Sequence, residues 1–465
     1  MSFHPIAEVR VDPRVAIVYE HGWQSWSPAG AYRVAATTPR PARPRWQTMA
    51  FRPERPAPAE GAQGEGLLAL QPEPGAPVTV WSAPDPHREV PTLRSRLTDG
   101  DLVVVEVDGD VYQDTYDTDL DEALRRHGDT VVRRQELPNP PALGTGWCSW
   151  YGYWGKVTEA DVRTNLAAAD ELDLPIDTIQ LDDGYQTEIG DWLTRRTDRF
   201  PSPLADLASA VAATGRSAGI WTAPFCVGAD SVLAATHPDW LVGGAEASDH
   251  HWGQRIGVLD VTHPDAAAHL VEVMRTLTSW GFSYHKIDFL YAGAIPGRRY
   301  ADCSPLDAYG EGLRLVREAI GPDAVLLGCG APLLPSIGRV DAMRTSPDID
   351  PTFTPPEGDV SQPSQQGALL AGRARSWQHG RFWTNDPDCI LVRAEVEDRD
   401  GWARYLAASG GLAVSGDPLP ALDDHGLALT RALLTEPRAE GGRWVPDPDN
   451  ADAGRLAGED AGVRP

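Results

Sequence analysis

The chain of 465 residues lacks any apolar run of about 18 residues, the length that crosses a bilayer. Its opening stretch, MSFHPIAEVRVDPR, has no basic segment followed by an apolar one, so no secretory leader is expected. Cysteines are few, five in all, odd in number and widely spaced, with no Cys-x-x-Cys pair. That excludes a disulfide framework and a zinc knuckle and makes a reducing cytoplasm the expected location. No GxGxxG turn, GxxxxGK[ST] loop or HExxH helix occurs, so neither a nucleotide nor a metal is implied. Asn-x-Ser/Thr sequons are absent. Positive charge is scarce: 41 Lys and Arg stand against 67 Asp and Glu, a formal net charge of −26. Such a surface repels phosphate backbones and anionic lipid, which excludes nucleic acid and membrane as partners and favours a neutral small molecule. A homo-oligomer is left open.

What is present divides along the chain. Residues 1–135 show short alternating segments (VAIVYEH, GLLALQP, VTVWSA, DLVVVEV) separated by Pro, Gly and Asp-Gly turns, the signature of an antiparallel β-sandwich. A helix-like stretch, TDLDEALRRHGD, leads to the Pro-rich joint PNPPALG. From there to residue 435, short apolar strands alternate with amphipathic helices that begin at Thr, Ser or Pro and end at Gly. The expected strands are 146–151, 178–183, 218–224, 284–289, 325–330, 340–345, 381–386 and 411–416. Eight strand-helix units of this size predict an α/β fold with a closed (β/α)8 TIM barrel, an open doubly wound sheet being the alternative. Residues 436–465 are acidic and rich in Gly and Pro, and read as a disordered tail.

In a barrel of this kind the active site lies at the C-terminal ends of the strands. The second strand ends in Asp182-Asp183 and the fourth in Lys286-Ile287-Asp288. The fifth ends in Cys329, and the sixth runs through Arg344 to Asp348. Trp150 and Trp221 close the first and third. One rim thus collects four acids, two bases and two indoles. Glycoside cleavage needs one carboxylate at the anomeric carbon and one carboxylic acid at the leaving oxygen. Lys286 and Arg344, each near one of the acids, favour ionised carboxylates around them. An isolated acid at a strand end often only caps the following helix, so it is the collection that carries the reading.

Three other signals point elsewhere and are set aside. Gly215-Arg216-Ser217-Ala218-Gly219 matches the nucleophile-elbow pattern, but Ser217 opens a strand instead of following one. His21 and His285 have no partner at ligand spacing and are expected to be hydrogen-bonded structural residues. Of the sixteen tryptophans, Trp23 and Trp26 of the N-terminal segment are placed in packing ahead of the pocket.

Several segments resemble glycoside hydrolase family 36, the α-galactosidases or melibiases, in order and spacing. They are GWCSWYGY, QLDDGYQTEIGDWL, GIWTAPF, YHKIDFLYAG, LLGCGAPLLPSIGRVDAMRTSPD and RFWTNDPDCILVR, preceded by HGWQSWSP. The resemblance implies a retaining α-galactosidase acting on a small-molecule α-galactoside. Asp288 would be the nucleophile and Asp348 the general acid/base. Asp182 and Asp183 would bind galactose hydroxyls, Trp221 would pack on the sugar, and Lys286, Cys329 and Arg344 would hold hydroxyls or orient the carboxylates. Trp150 and Tyr151 would be wall residues. α-N-Acetylgalactosaminidase activity, galactosyl transfer of the raffinose-synthase kind and non-catalytic galactoside binding are the alternatives. Two departures bear on the outer subsites: Cys329-Gly330-Ala331-Pro332 replaces a glycine-rich segment, and Ala223 stands where many relatives carry Glu.

Overall fold

The computed structural model describes residues 2–40, 55–248, 251–435, 441–449, 454–461 and 463. Its N-terminal part is two antiparallel sheets of four and five strands. Period-two patterning sets their faces: along Leu102–Val107 the buried residues alternate with partly exposed ones, so that Val103, Val105 and Val107 point inward. The turn before it is made at Asp99 (φ 48°) and Gly100 (φ 82°), consecutive left-handed residues of the sort a tight Asp-Gly hairpin needs. The strand Leu67–Gln71 is buried on both faces. Leu68 and Leu70 join the core between the sheets, while Leu67 and Ala69 join the core shared with the barrel. That double burial explains its unbroken apolar run.

The helix Leu120–Gln135 is N-capped by Asp119, which accepts from the Glu122 amide, and ends at a left-handed Glu136. Beyond the Pro-rich joint lies a sheet of eight parallel strands in sequential order. They are Gly146–Cys148, Thr178–Leu181, Ser217–Thr222, Phe282–Ile287, Val325–Gly328, Ala342–Arg344, Thr384–Asp386 and Val414–Ser415. The first and last are paired. Between the seventh and eighth, Leu412 N donates to Asn385 O (2.8 Å) and Ile390 N to Val414 O (2.7 Å), which closes the (β/α)8 barrel. Covering helices start at reciprocal capping boxes, Thr158 with Asp161 and Ser304 with Asp307.

Seven of the eight strands stop one to three residues before the ends expected from sequence, and the seventh ends at Asp386 as expected. The reason is local at the two strands that carry acids. Asp182 N donates to Ser149 Oγ (2.9 Å), Asp183 N to Asp182 Oδ1 (2.9 Å) and Phe289 N to Asp288 Oδ1 (2.7 Å), so these amides serve side chains instead of neighbouring strands. The acids therefore stand on the rim.

The tail expected to be disordered is ordered where it is described. Trp444–Val445 pairs with Arg455–Leu456, Trp444 and Leu456 are buried in the main core, and Arg373 makes a two-pronged ion pair with Glu459. Composition hid this because two indole and isobutyl anchors suffice to dock a Gly-rich segment.

The two parts of the chain are joined at the barrel mouth. Leu333 N donates to Trp23 O (3.1 Å) and Ser25 N to Ala331 O (3.1 Å), zipping the Trp23–Ser27 loop onto the segment after the fifth strand. The fully buried Arg375 donates to four carbonyls: Ser25 O (2.7 Å) and Thr345 O (2.8 Å) through Nη1, Ser27 O (2.8 Å) and Gln24 O (3.2 Å) through Nη2. His21 and His285 are structural: each ring meets a hydroxyl, of Tyr19 and Thr278 respectively, at 3.2 Å.

Candidate active site

Asp288 leaves the fourth strand with its amide still held by Thr222 O of the third (2.8 Å). The next residue, Phe289, takes φ 51°, an uncommon conformation for a bulky side chain. This kink turns the Phe289 amide back onto Asp288 Oδ1 (2.7 Å), while Trp221 Nε1 donates to Oδ2 (3.1 Å). Both oxygens accept from N–H donors, which fixes the orientation of the carboxyl group.

Asp348 sits in a different environment. Its side chain keeps 26% of its surface open to the cavity, yet burial is the dominant influence and pushes its pKa up to about 7. The charges of Asp388 and Asp288 push in the same direction, and Arg344 and Lys286 oppose them. Arg344 is fully buried and divided among three carboxylates: Nη1 to Asp348 (3.0 Å), Nε to Asp386 (3.2 Å) and Nη2 to Asp388 (2.7 Å). Asp388 is further bound by the Tyr151 hydroxyl (2.5 Å) and the Ile349 and Cys389 amides. Its φ of 85° is one of the few positive values outside glycine.

Lys286 lies two residues from Asp288, but its ammonium goes to Asp182 Oδ2 (2.9 Å). The strand period explains this: Lys286 and Asp288 share a face, and the inward lysine reaches across the barrel to the second strand. The same Asp182 oxygen accepts from Gln180 Nε2 (2.6 Å). Asp183 accepts from Gln186 Nε2 (2.5 Å) and Trp252 Nε1 (2.7 Å), and burial raises its pKa.

These groups share one cavity of about 270 Å3, small among ligand sites. Asp182, Asp183, Lys286, Asp288 and Asp348 line it together with Trp221 and Trp150. Tyr151, Arg344 and Cys329 do not line it. Tyr151 and Arg344 lie behind Asp348, and Cys329 is buried against Trp26 and Tyr291 with its thiol pKa raised by burial. Trp26 is a correction to the sequence reading: it faces the cavity, edge-on to Phe289 with ring centroids 4.9 Å apart, whereas Trp23 is in the core. Trp154, His251, Trp252 and the Ser361–Gln362–Pro363 turn also line the cavity and were not found from sequence. They lie in connections without periodicity, where only the density of tryptophans was a signal.

The family model described as Melibiase matches residues 149–292, the stretch from just after the first strand to just past Asp288. The solved structure of TtGalA, an α-galactosidase from Thermus thermophilus in complex with stachyose, superposes with a TM-score of 0.73 at 28% identity, covering 93% of this chain and 94% of that one. Its complex with p-nitrophenyl α-D-galactopyranoside gives 0.74 at 27% identity, over 93% and 89%. In matched sequence and in fold the chain is similar to the melibiases, the α-galactosidases of glycoside hydrolase family 36. The chain is also similar to α-galactosidase AgaA of Geobacillus stearothermophilus, 31% identical over 174 residues, which are 34% of this chain and 23% of that protein. A further similar protein is an A type blood α-D-galactosamine galactosaminidase of Flavonifractor plautii, 28% identical over 159 residues, 31% of this chain and 14% of that one. The matched stretch thus spans less than a quarter of either curated relative. The chain resembles TtGalA in extent, with a shared fold that accounts for nearly all of both chains.

Proposed function

We propose that the protein is a retaining α-galactosidase that hydrolyses terminal α-galactosyl residues by double displacement, in the cytoplasm. The observation that carries this reading is the contrast between two acids on one cavity: Asp288 held by two N–H donors, Asp348 raised to about 7. A carboxyl that keeps its proton near neutrality suits the general acid, and the second carboxyl on the same cavity is left as the nucleophile. Asp348 gives its proton to the glycosidic oxygen as the bond to the anomeric carbon breaks, and Asp288 attacks that carbon to form a β-galactosyl ester. The Asp348 carboxylate then takes a proton from water as the water displaces Asp288, and galactose leaves with its α configuration kept. Asp182 and Asp183 would accept from sugar hydroxyls, Lys286 would donate to one, and Trp221 would pack on the ring. The TtGalA complexes with stachyose and an aryl galactoside support galactose as the glycone, and five unpaired cysteines suit a reducing compartment.

The test is hydrolysis of p-nitrophenyl α-galactoside followed by proton NMR. The first sugar formed is expected to be the α anomer. A β anomer appearing first overturns the retaining mechanism. The Flavonifractor relative makes α-N-acetylgalactosaminide the competing substrate. Faster release from the p-nitrophenyl derivative of that sugar than from the galactoside would select it.

A further inference from the structure

Trp154 occupies backbone space that side chains avoid. It stands between the short helix Trp150–Tyr153 and the 3-10 turn Trp154–Lys156, with φ 52° and ψ −157°. That region is essentially glycine's, and a residue with a bulky side chain stays there only when its surroundings over-determine it. The surroundings here do so. Trp154 N donates to Trp150 O, and Val157 N to Trp154 O (3.2 Å). Arg199 donates to Gly155 O. Gly184, directly after the Asp182–Asp183 pair, is packed so closely on Gly155 that a Cβ there would come within 2.9 Å of its backbone. The turn bearing Trp154 is therefore fastened to the loop bearing two of the cavity acids.

The side chain gains little burial from this. Trp154 remains 39% exposed, among the few large apolar residues that do, while lining the cavity. Its ring is fixed edge-on by Trp150 (centroids 5.0 Å, 75°) and Tyr151 (5.5 Å, 78°). A strained backbone that holds an indole rigidly and half open at the rim of a sugar cavity has the form of a stacking platform. The buried acids and Trp221 already surround the inner end of the cavity. The apolar face of a second ring, leaving the cavity toward solvent, is what the exposed indole can meet.

We infer that Trp154 is the platform for the leaving group, stacking on the ring directly attached to the cleaved galactose, a sugar or an aryl group. The inference rests on the proposed α-galactosidase activity and adds to it a preference for cyclic aglycones. The test compares raffinose, whose leaving group is a sugar, with α-galactosyl fluoride, whose leaving group has no ring. In Trp154→Ala the ratio of kcat/KM on raffinose to kcat/KM on the fluoride is expected to fall roughly 3- to 10-fold, the scale of one aromatic stacking contact, and Trp154→Phe is expected to recover most of it. Trp154→Gly relieves the strained backbone, so its Tm is expected to equal or exceed that of the wild type while the ratio falls as in the Ala variant. A ratio that does not fall, or a Trp154→Gly protein that melts lower with equal losses on both substrates, assigns Trp154 a packing role and overturns the platform. A wild type that releases galactose from neither substrate overturns the activity itself, and is read without any variant.

Discussion

Arg344 Nη1 lies 3.0 Å from Asp348 Oδ1, and the same guanidinium also serves Asp386 and Asp388. One cation shared by three carboxylates cannot fully offset the burial of any of them. Asp348, the one that faces the cavity, is left with a proton to give near neutrality.

The pH dependence follows. Asp348 is raised to about 7, so its acid form is lost as pH rises through that value, and kcat/KM on raffinose is expected to decline with an alkaline limb near 7. The stability effect has the same direction. A carboxyl raised in the folded state contributes stability that is fully present below its unfolded value of 3.8 and lost as pH climbs through about 7. Melting curves taken from about pH 4.5 to about pH 8 should therefore show a shallower decline for Asp348→Asn than for the wild type.

Asp388→Asn removes a charge that raises Asp348 and leaves more of Arg344 for it. Asparagine tolerates the positive φ at 388. The alkaline limb should move to lower pH by roughly half to one unit, measured from kcat/KM across pH. A limb that stays in place would show that Asp388 does not act on Asp348.

The two acids should separate by leaving group. Asp288→Ala is expected to lower kcat by roughly 10^3-fold or more on every α-galactoside. Asp348→Ala is expected to cost about 10^2- to 10^4-fold on raffinose and much less on p-nitrophenyl α-galactoside, whose leaving group needs little protonation. Equal losses on both substrates would count against the acid role.

Much of this was legible in the chain. Strand-helix alternation gave the barrel because its strands, buried on both faces, read as short apolar runs, and the rim acids stood out as polar residues interrupting them. The partners of those acids were not legible. Sequence nearness put Lys286 beside Asp288, whereas side-chain reach across a barrel carried it to Asp182, 104 positions away. Nor could spacing show that Asp388 completes the Arg344 cluster from the seventh strand, or that Trp26 and Trp252 turn into the cavity. Those are consequences of closure, which brings distant loops to one mouth.

Lys286→Met tests that cross-barrel pair. Both side chains are nearly excluded from solvent, at 6% and 2% exposure, so removing the ammonium strands a buried carboxylate. Denaturant titration should show a loss of about 3 kcal/mol or more, and adding Asp182→Asn to the same protein should return part of it. If the double variant is no more stable than Lys286→Met, the pair is not coupled.

The clasp of Arg375 on the carbonyls of Gln24, Ser25 and Ser27 makes the sandwich a participant in the cavity that holds the acids, since it holds Trp26 against the barrel. A barrel expressed without its first 120 or so residues would be missing one side of its own binding cup and would carry a guanidinium with three of its four ligands gone. Trimming toward a minimal enzyme must therefore spare the amino-terminal sheets, and the two layers should melt in a single cooperative event.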